Sequence, residues 1–188
     1  MTEFYAHTIP SGLLDKNIEF MVNHGELVFT QFGQIHPFKE LSIEAFEILQ
    51  NILSNDAKAQ KGLDILGITD PCDRIHQFAF CRFGGLDAVA DIDMETEKVN
   101  FEYWDCGSRP CPADGLLCRL PEVPNGKLTI HESSIMRKIA GDSLNKEIAD
   151  QLHISCETVN KECQTIVKKL GCFTKNGIAA FAAKNNIL

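Results

Sequence analysis

Residues 128–188 read LTIHESSIMRKIAGDSLNKEIADQLHISCETVNKECQTIVKKLGCFTKNGIAAFAAKNNIL. Thr129 and Glu132 form a T-x-x-E box, the pairing that satisfies the free amides at a helix start. Ile135, Met136 and Ile139 give that first helix an apolar face, and Gly141 ends it. Ser143 is positioned to cap a second helix with Ile148, Ala149 and Leu152 inward, and His153–Ile154 supply a tight turn. Ser155 caps a third helix. In it Val159, Cys163, Ile166 and Leu170 recur at spacings of four, three and four, which places them on one buried stripe. A fourth helix is predicted over Gly177–Lys184.

The face opposite the stripe of the third helix carries Glu157, Asn160, Lys161, Gln164 and Lys168. Such a helix can enter a major groove, where amides and amines read base edges and lysines meet phosphates. Two short helices and a tight turn leading into it are the layout of a helix-turn-helix.

The segment resembles the LuxR/FixJ-type C-terminal domain of bacterial transcription regulators. The resemblance is carried by Leu128-Thr129, Glu132, Asn145-Lys146-Glu147-Ile148-Ala149, Leu152, Ile154-Ser155, Thr158-Val159, Ile166 and Lys169-Leu170-Gly171. It implies that Asn160, Lys161 and Gln164 approach bases. It also implies that Lys146, Ser155, Thr158 and Lys168 or Lys169 approach phosphates, and that Gly177–Lys184 is a dimerisation element. Double-stranded DNA and a second copy of the chain are then the expected partners. The sequence departs from the family pattern at His131, where arginine is usual, at Glu162, where histidine is common, and at Asn160, where lysine is common.

Charge divides the chain. Eight basic and six acidic residues lie in 128–188, leaving ten basic and twenty acidic in the remainder of a chain whose net charge is −8. The C-terminal segment is therefore the part suited to a polyanion, and the acidic remainder would be repelled by one. The expected organisation is an acidic regulatory and metal-binding domain over 1–120, a linker over 121–127 (PEVPNGK) and the helix-turn-helix domain over 128–188. The acidic domain is also a candidate surface for a protein partner.

Within residues 1–70 the pattern reads mostly as helix. Leu13, Leu14, Ile18, Met21 and Val22 form an apolar stripe with Gly25 as its cap, and Glu26–Phe38 reads as strand or loop. Ser42 caps a helix with Ala45, Phe46, Leu49, Ile52 and Leu53 on its face, and Asp56–Leu66 reads as a second short helix. Further on the chain turns at Gly84–Gly85, and AVADID and KVNFEYW pair as a hairpin about Glu95–Glu97.

Five of the eight cysteines precede residue 121. Cys106, Cys111 and Cys118 fall in one glycine- and proline-rich loop, and Cys81 stands just before Gly84–Gly85. Four thiolates on a loop that can wrap an ion suit tetrahedral zinc, which would staple a region poor in regular structure; an iron–sulfur cluster takes the same ligands. Cys72 and His76 are the alternatives to Cys81, and reduced thiols packed as small hydrophobes are the alternative to any metal. The small helix-turn-helix proteins of Bacteroidetes and their mobile elements have a similar cysteine-containing N-terminal part, a resemblance that implies a metal without naming it.

The carboxylates Asp87, Asp91, Asp93, Glu95 and Glu97 read as an acidic hairpin face rather than a catalytic group. No phosphate loop, zinc-protease motif or assembled nucleophile is present, so no enzyme is expected. With no membrane-length apolar run and no secretory signal, the cytoplasm is the default location. The fold class expected is mainly α with a small β-hairpin: a four-helix C-terminal domain and an irregular, metal-stapled α+β N-terminal domain. The competing function is a protein-interaction adaptor using the helix-turn-helix fold for docking.

Overall fold

A computed structural model describes residues 11–86, 89–104, 106, 111–184 and 187. Asp87 and residues 1–10 and 107–110 lie outside the described residues, and so do the readings that fall on them. The chain divides into two compact units, Met1–Arg119 and Leu120–Leu188. It is mainly helical with a small amount of sheet.

The first unit opens with a β-meander: its first strand lies where the Leu13–Val22 stripe suggested helix, and its second and third lie in the Glu26–Phe38 stretch read as strand or loop. Strands β1 (Glu19–Asn23), β2 (Glu26–Gln31) and β3 (Gln34–Pro37) pair antiparallel in sequence order. Two-residue loops join them, His24–Gly25 and Phe32–Gly33, and all four loop residues have positive φ. That is the turn chemistry whose twist matches flanking strands. Gly25 is therefore a hairpin residue and not a helix cap. The apolar residues alternate, with Ile18, Phe20, Leu27 and Phe29 in the core, while Leu14 from the supposed helical stripe is 78% exposed.

Helix α1 (Ile43–Asn55) starts where Ser42 accepts from the Ala45 amide, as its sequence indicates. Helix α2 (Ala57–Ile65) is capped by Asp56. Helix α3 (Pro71–Arg82) has Asp70 accepting from the Cys72 and Asp73 amides and Pro71 in its first turn. The sequence reading missed it because aromatic residues crowd the segment and mask the helical period. Strands β4 (Ile92–Asp93) and β5 (Lys98–Val99) form the expected hairpin in shorter form. Asp93 organises its turn by accepting from the Glu95 and Thr96 amides, and these bonds hold its carboxyl below the usual carboxylate range. Ile92 bridges to Ile18, and buried Asp91 accepts from the Phe20 amide at 2.8 Å, so the hairpin is fastened to β1.

Aromatic rings hold this unit together. Phe20 stacks on Phe83 at 5.5 Å, and Phe83 on Phe101 at 5.3 Å. Gly84 lies flat against the Trp104 ring, where a β-carbon would overlap it, and Glu102 accepts from both the Gly84 and Gly85 amides. The loop bearing Cys111 and Cys118 is anchored by Ala113 and Leu117, both fully buried, with Leu117 against Gly62 of α2.

Among the described residues the second unit has four helices: α4 (Ile130–Ala140), α5 (Asn145–Leu152), α6 (Cys156–Leu170) and α7 (Lys175–Lys184). Helix α4 packs on α6 and α7, and α5 on α6. Val159, Cys163, Ile166 and Leu170 are the buried residues of α6, the stripe its spacing predicts. Residues 121–127 are not free-running chain: Glu122 bridges to Lys127, and the Asn125 amide donates to the Lys169 carbonyl at 2.9 Å.

Candidate nucleic-acid interface

The site is built from the junction of α5 and α6. The N-cap of α5 is Leu144, not Ser143. Leucine has no acceptor, so the cap comes from the other direction: Glu147 Oε2 accepts from the Leu144 amide at 2.8 Å. Helix α5 ends where His153 takes the left-handed conformation, with φ of 54°, and the Ile154 amide returns to the Ala149 carbonyl at 3.0 Å. This is the tight turn read at His153–Ile154. Ser155 then starts α6 as expected, accepting from the Thr158 amide at 3.0 Å.

Helix α6 presents Asn160, Lys161, Gln164 and Lys168 to solvent on its outer side. Lys161 pairs with Glu157 one turn earlier at 2.9 Å, both largely exposed. Lys146 is exposed on α5, and Ser155 and Thr158 share a hydroxyl–hydroxyl bond at 2.9 Å at the start of α6. Lys169 stands apart from these. Its ammonium sits 2.6 and 2.7 Å from the two oxygens of Glu132, whose side chain is 4% exposed. Of the two lysines of the last turn, Lys168 is the one left on the solvent side.

Glu132 also completes the capping box with Thr129, the Thr129 amide donating to Oε2 at 2.6 Å and Thr129 Oγ1 accepting from the Glu132 amide at 3.1 Å. Burial pushes this carboxyl up. The hydrogen bonds from Lys169 and Thr129 outweigh that and hold it below its ordinary value.

Asn145 and Lys175 were not singled out by sequence for any role. Asn145 Nδ2 donates to Asn160 Oδ1 at 2.6 Å, and Lys175 Nζ donates to Asn145 Oδ1 at 2.7 Å and to the Ser143 carbonyl at 3.1 Å. Asn145 lies within the family motif, which was one available signal. Lys175, in T-K-N-G, carries none.

Among the cysteines of this unit, Cys163 is core, and burial pushes its thiol up. Cys172 lies against Gly177, and Cys156 is exposed.

In the first unit the four candidate ligands are brought toward one another. Cys81 is 7% exposed at the end of α3. A hydrogen bond with Cys118 lowers its thiol most, burial opposes this, and Gln77 Nε2 at 3.2 Å lowers it further; Cys106 and Cys111 are near enough to act on it by charge. Cys72 is held elsewhere, because nine helical steps of α3 separate it from Cys81 by about 14 Å. His76 is packed edge-on against Phe38 at 4.9 Å. Among the described residues, no three His, Cys, Asp or Glu side chains are grouped tightly enough to hold an ion as they stand.

These helices, turns and faces define a helix-turn-helix of regulatory type. Residues 126–182 match the family model described as bacterial regulatory proteins, luxR family, and this C-terminal third is a luxR-family helix-turn-helix domain. That family is a DNA-binding one of transcription regulators and not of enzymes. Comparison with curated proteins and with solved structures returns no match. No helix among the described residues is long and apolar enough to cross a membrane.

Glu132 gives this domain a defined pH response. Its folded-state value lies below that of an unfolded glutamate, about 4.3. Its stabilising contribution is therefore complete above that value and lost as pH falls through the folded one. Glu132→Gln should lower the stability of the domain by about 1.5–3 kcal/mol at pH 7, the range for hydrogen bonds to charged groups. Urea unfolding should show the gap between variant and wild type closing below about pH 4. A gap unchanged at low pH would show that the ionised carboxylate is not what stabilises the fold.

Proposed function

We propose that the chain is a sequence-specific transcriptional regulator. Its α6 enters the major groove with Asn160, Lys161 and Gln164 at the bases, and Lys146, Ser155, Thr158 and Lys168 meet phosphates. The observation that carries this reading is the agreement of the family match with an exposed polar face on α6, opposite a fully apolar one. Lys169, committed to Glu132, acts by holding α4 to α6 and leaves phosphate contact to Lys168.

The regulator works as a dimer in this proposal. A domain with only eight basic against six acidic residues has little sequence-independent grip on DNA, and two copies double it. Phe173, 95% exposed just ahead of α7, supplies an apolar contact for the second copy.

The first unit is proposed as a regulatory domain stapled by zinc on Cys81, Cys106, Cys111 and Cys118. An iron–sulfur cluster, which would make it a sensor, uses the same four ligands. Two features support an anionic centre here. The Cys81 thiol hydrogen-bonds with Cys118, and Cys106 and Cys111 act on it by charge. Beside it Arg82 is buried, 6% exposed, with Nη2 on Asp56 at 2.8 Å and no partner for Nε. A buried guanidinium N–H is costly to leave unmatched, and thiolates closing on an ion would supply negative charge next to it.

Two experiments test these readings. Lys161→Ala and Gln164→Ala should each weaken binding to a site selected from random-sequence DNA by about 1–3 kcal/mol, measured by gel shift. Unchanged binding would remove α6 from the groove, and a wild-type chain that shifts no DNA at low salt would favour the adaptor function. Elemental analysis and a visible spectrum of chain purified without oxygen should show one zinc per chain and no colour. Iron with sulfide and a brown colour would make the site a cluster, and neither metal would return the cysteines to packing.

A further inference from the structure

We infer that the first unit binds a small organic ammonium, an amine on an apolar or aromatic body, in a cleft between its meander and α3. The cleft lies wholly within that unit. None of Cys81, Cys106, Cys111 and Cys118 lines it. Its ligand is therefore independent of any metal on those thiols and of how α6 meets DNA.

The cleft is bordered by the start of β2, by the single 3₁₀ turn Phe38–Glu40 between β3 and α1, and by the first turns of α3. Its volume is about 560 Å³, inside the range of about 300–1,000 Å³ usual for small-molecule sites. Leu27 lines it and is buried. Phe38, Leu41 and Phe46 line it and are only half-buried, so apolar surface is left facing the space. Covering that surface is favourable for a ligand with an apolar body. The Phe38 ring is steadied by His76 of α3, which packs edge-on against it at 4.9 Å.

Charge selects among the molecules that such a cleft could hold. Asp73, in the first turn of α3, and Glu26, at the start of β2, bring carboxylates to it from two separate elements. Among the described residues no hydrogen bond or ion pair engages either carboxylate. The faces of the Phe38 and Phe46 rings add a second preference of the same sign, since an aromatic quadrupole attracts a cation and not an anion. Lys39 is the one lysine or arginine on the lining among the described residues. It is exposed, and its long stem lets the ammonium extend into water. Two carboxylates and two ring faces against one mobile ammonium favour a cationic ligand. Its apolar body covers Leu27, Leu41 and the two rings, and its ammonium takes Asp73 and Glu26 at the rim.

The test titrates the full chain with tryptamine and with indole-3-propionate, which share a ring and a two-carbon arm but carry opposite charge. By calorimetry tryptamine should saturate a single site with a Kd of about 1 mM or tighter. Indole-3-propionate should bind at least about tenfold more weakly. In NMR spectra tryptamine should shift the ring signals of His76, identified by their loss in His76→Gln. Asp73→Asn and Glu26→Gln are exposed, isosteric changes. Each should weaken tryptamine by about threefold or more and narrow its advantage over the propionate. Lys39→Met should strengthen tryptamine. Glu95→Gln, which does not line the cleft, should leave both affinities unchanged, and circular dichroism should report every variant folded. No saturable binding of tryptamine would overturn the inference. So would propionate binding as tight as the amine, or a tryptamine affinity that both carboxylate variants leave unchanged. Metal content and DNA binding are measured separately on the same chain, so failure here is distinct from failure of either proposed reading.

Discussion

A buried carboxylate holds the C-terminal domain in register. Glu132 closes the start of α4 through Thr129 and reaches across to Lys169 in the last turn of α6. A nearly inaccessible charge must be matched, since leaving it unpaired is costly. That requirement fixes where the end of α6 lies against the start of α4. The outer face of the same helix is thereby fixed, because its inner stripe of Val159, Cys163, Ile166 and Leu170 can point only one way. The exposed polar face and the ion pair are two consequences of one packing solution. The same solution divides the lysines of the last turn, Lys169 for structure and Lys168 for solvent.

Polar contacts around α5 extend that order to the surface. Glu147 supplies the cap that Leu144 lacks, the left-handed His153 makes the turn, and Lys175 reaches from α7 to Asn145 and from there to Asn160. A half-buried lysine thus orders an exposed amide two bonds away. In the first unit the comparable constraint is aromatic. Phe20, Phe83 and Phe101 stack in series, Arg82 and Arg119 lie over the Phe101 ring at 5.3 and 4.3 Å, and Arg82 leads directly back to Cys81.

Legibility in the sequence followed how local the physics was. The α6 stripe, the Thr129–Glu132 box, the Ser42 and Ser155 caps and the β4–β5 turn all depend on residues within four positions of each other. Each could be read directly. The β-meander was legible only as strand or loop over Glu26–Phe38, and its first strand not at all, because its loops use His24 and Phe32 at positive φ beside glycines, where asparagine or aspartate is the usual signal. Helix α3 was hidden by its aromatic content, although Asp70-Pro71 marked its start. For the candidate site, the exposed residues of α6 were legible from periodicity. The pairing of Lys169 with Glu132 spans 37 positions, and that of Lys175 with Asn145 spans 30; no sequence pattern announces either. In the first unit, forming α3 separates Cys72 from Cys81, a distinction that spacing alone left open.

In the proposed function the exposed face of α6 and its neighbouring lysines bind DNA. The most direct measurement is the affinity of the intact chain for a selected duplex as a function of salt. Log affinity should fall linearly with log salt, by about 0.9 for each phosphate neutralised. Lys146→Ala and Lys168→Ala should each reduce that slope by about one. Binding that is indifferent to salt, or a slope that both variants leave unchanged, would contradict it.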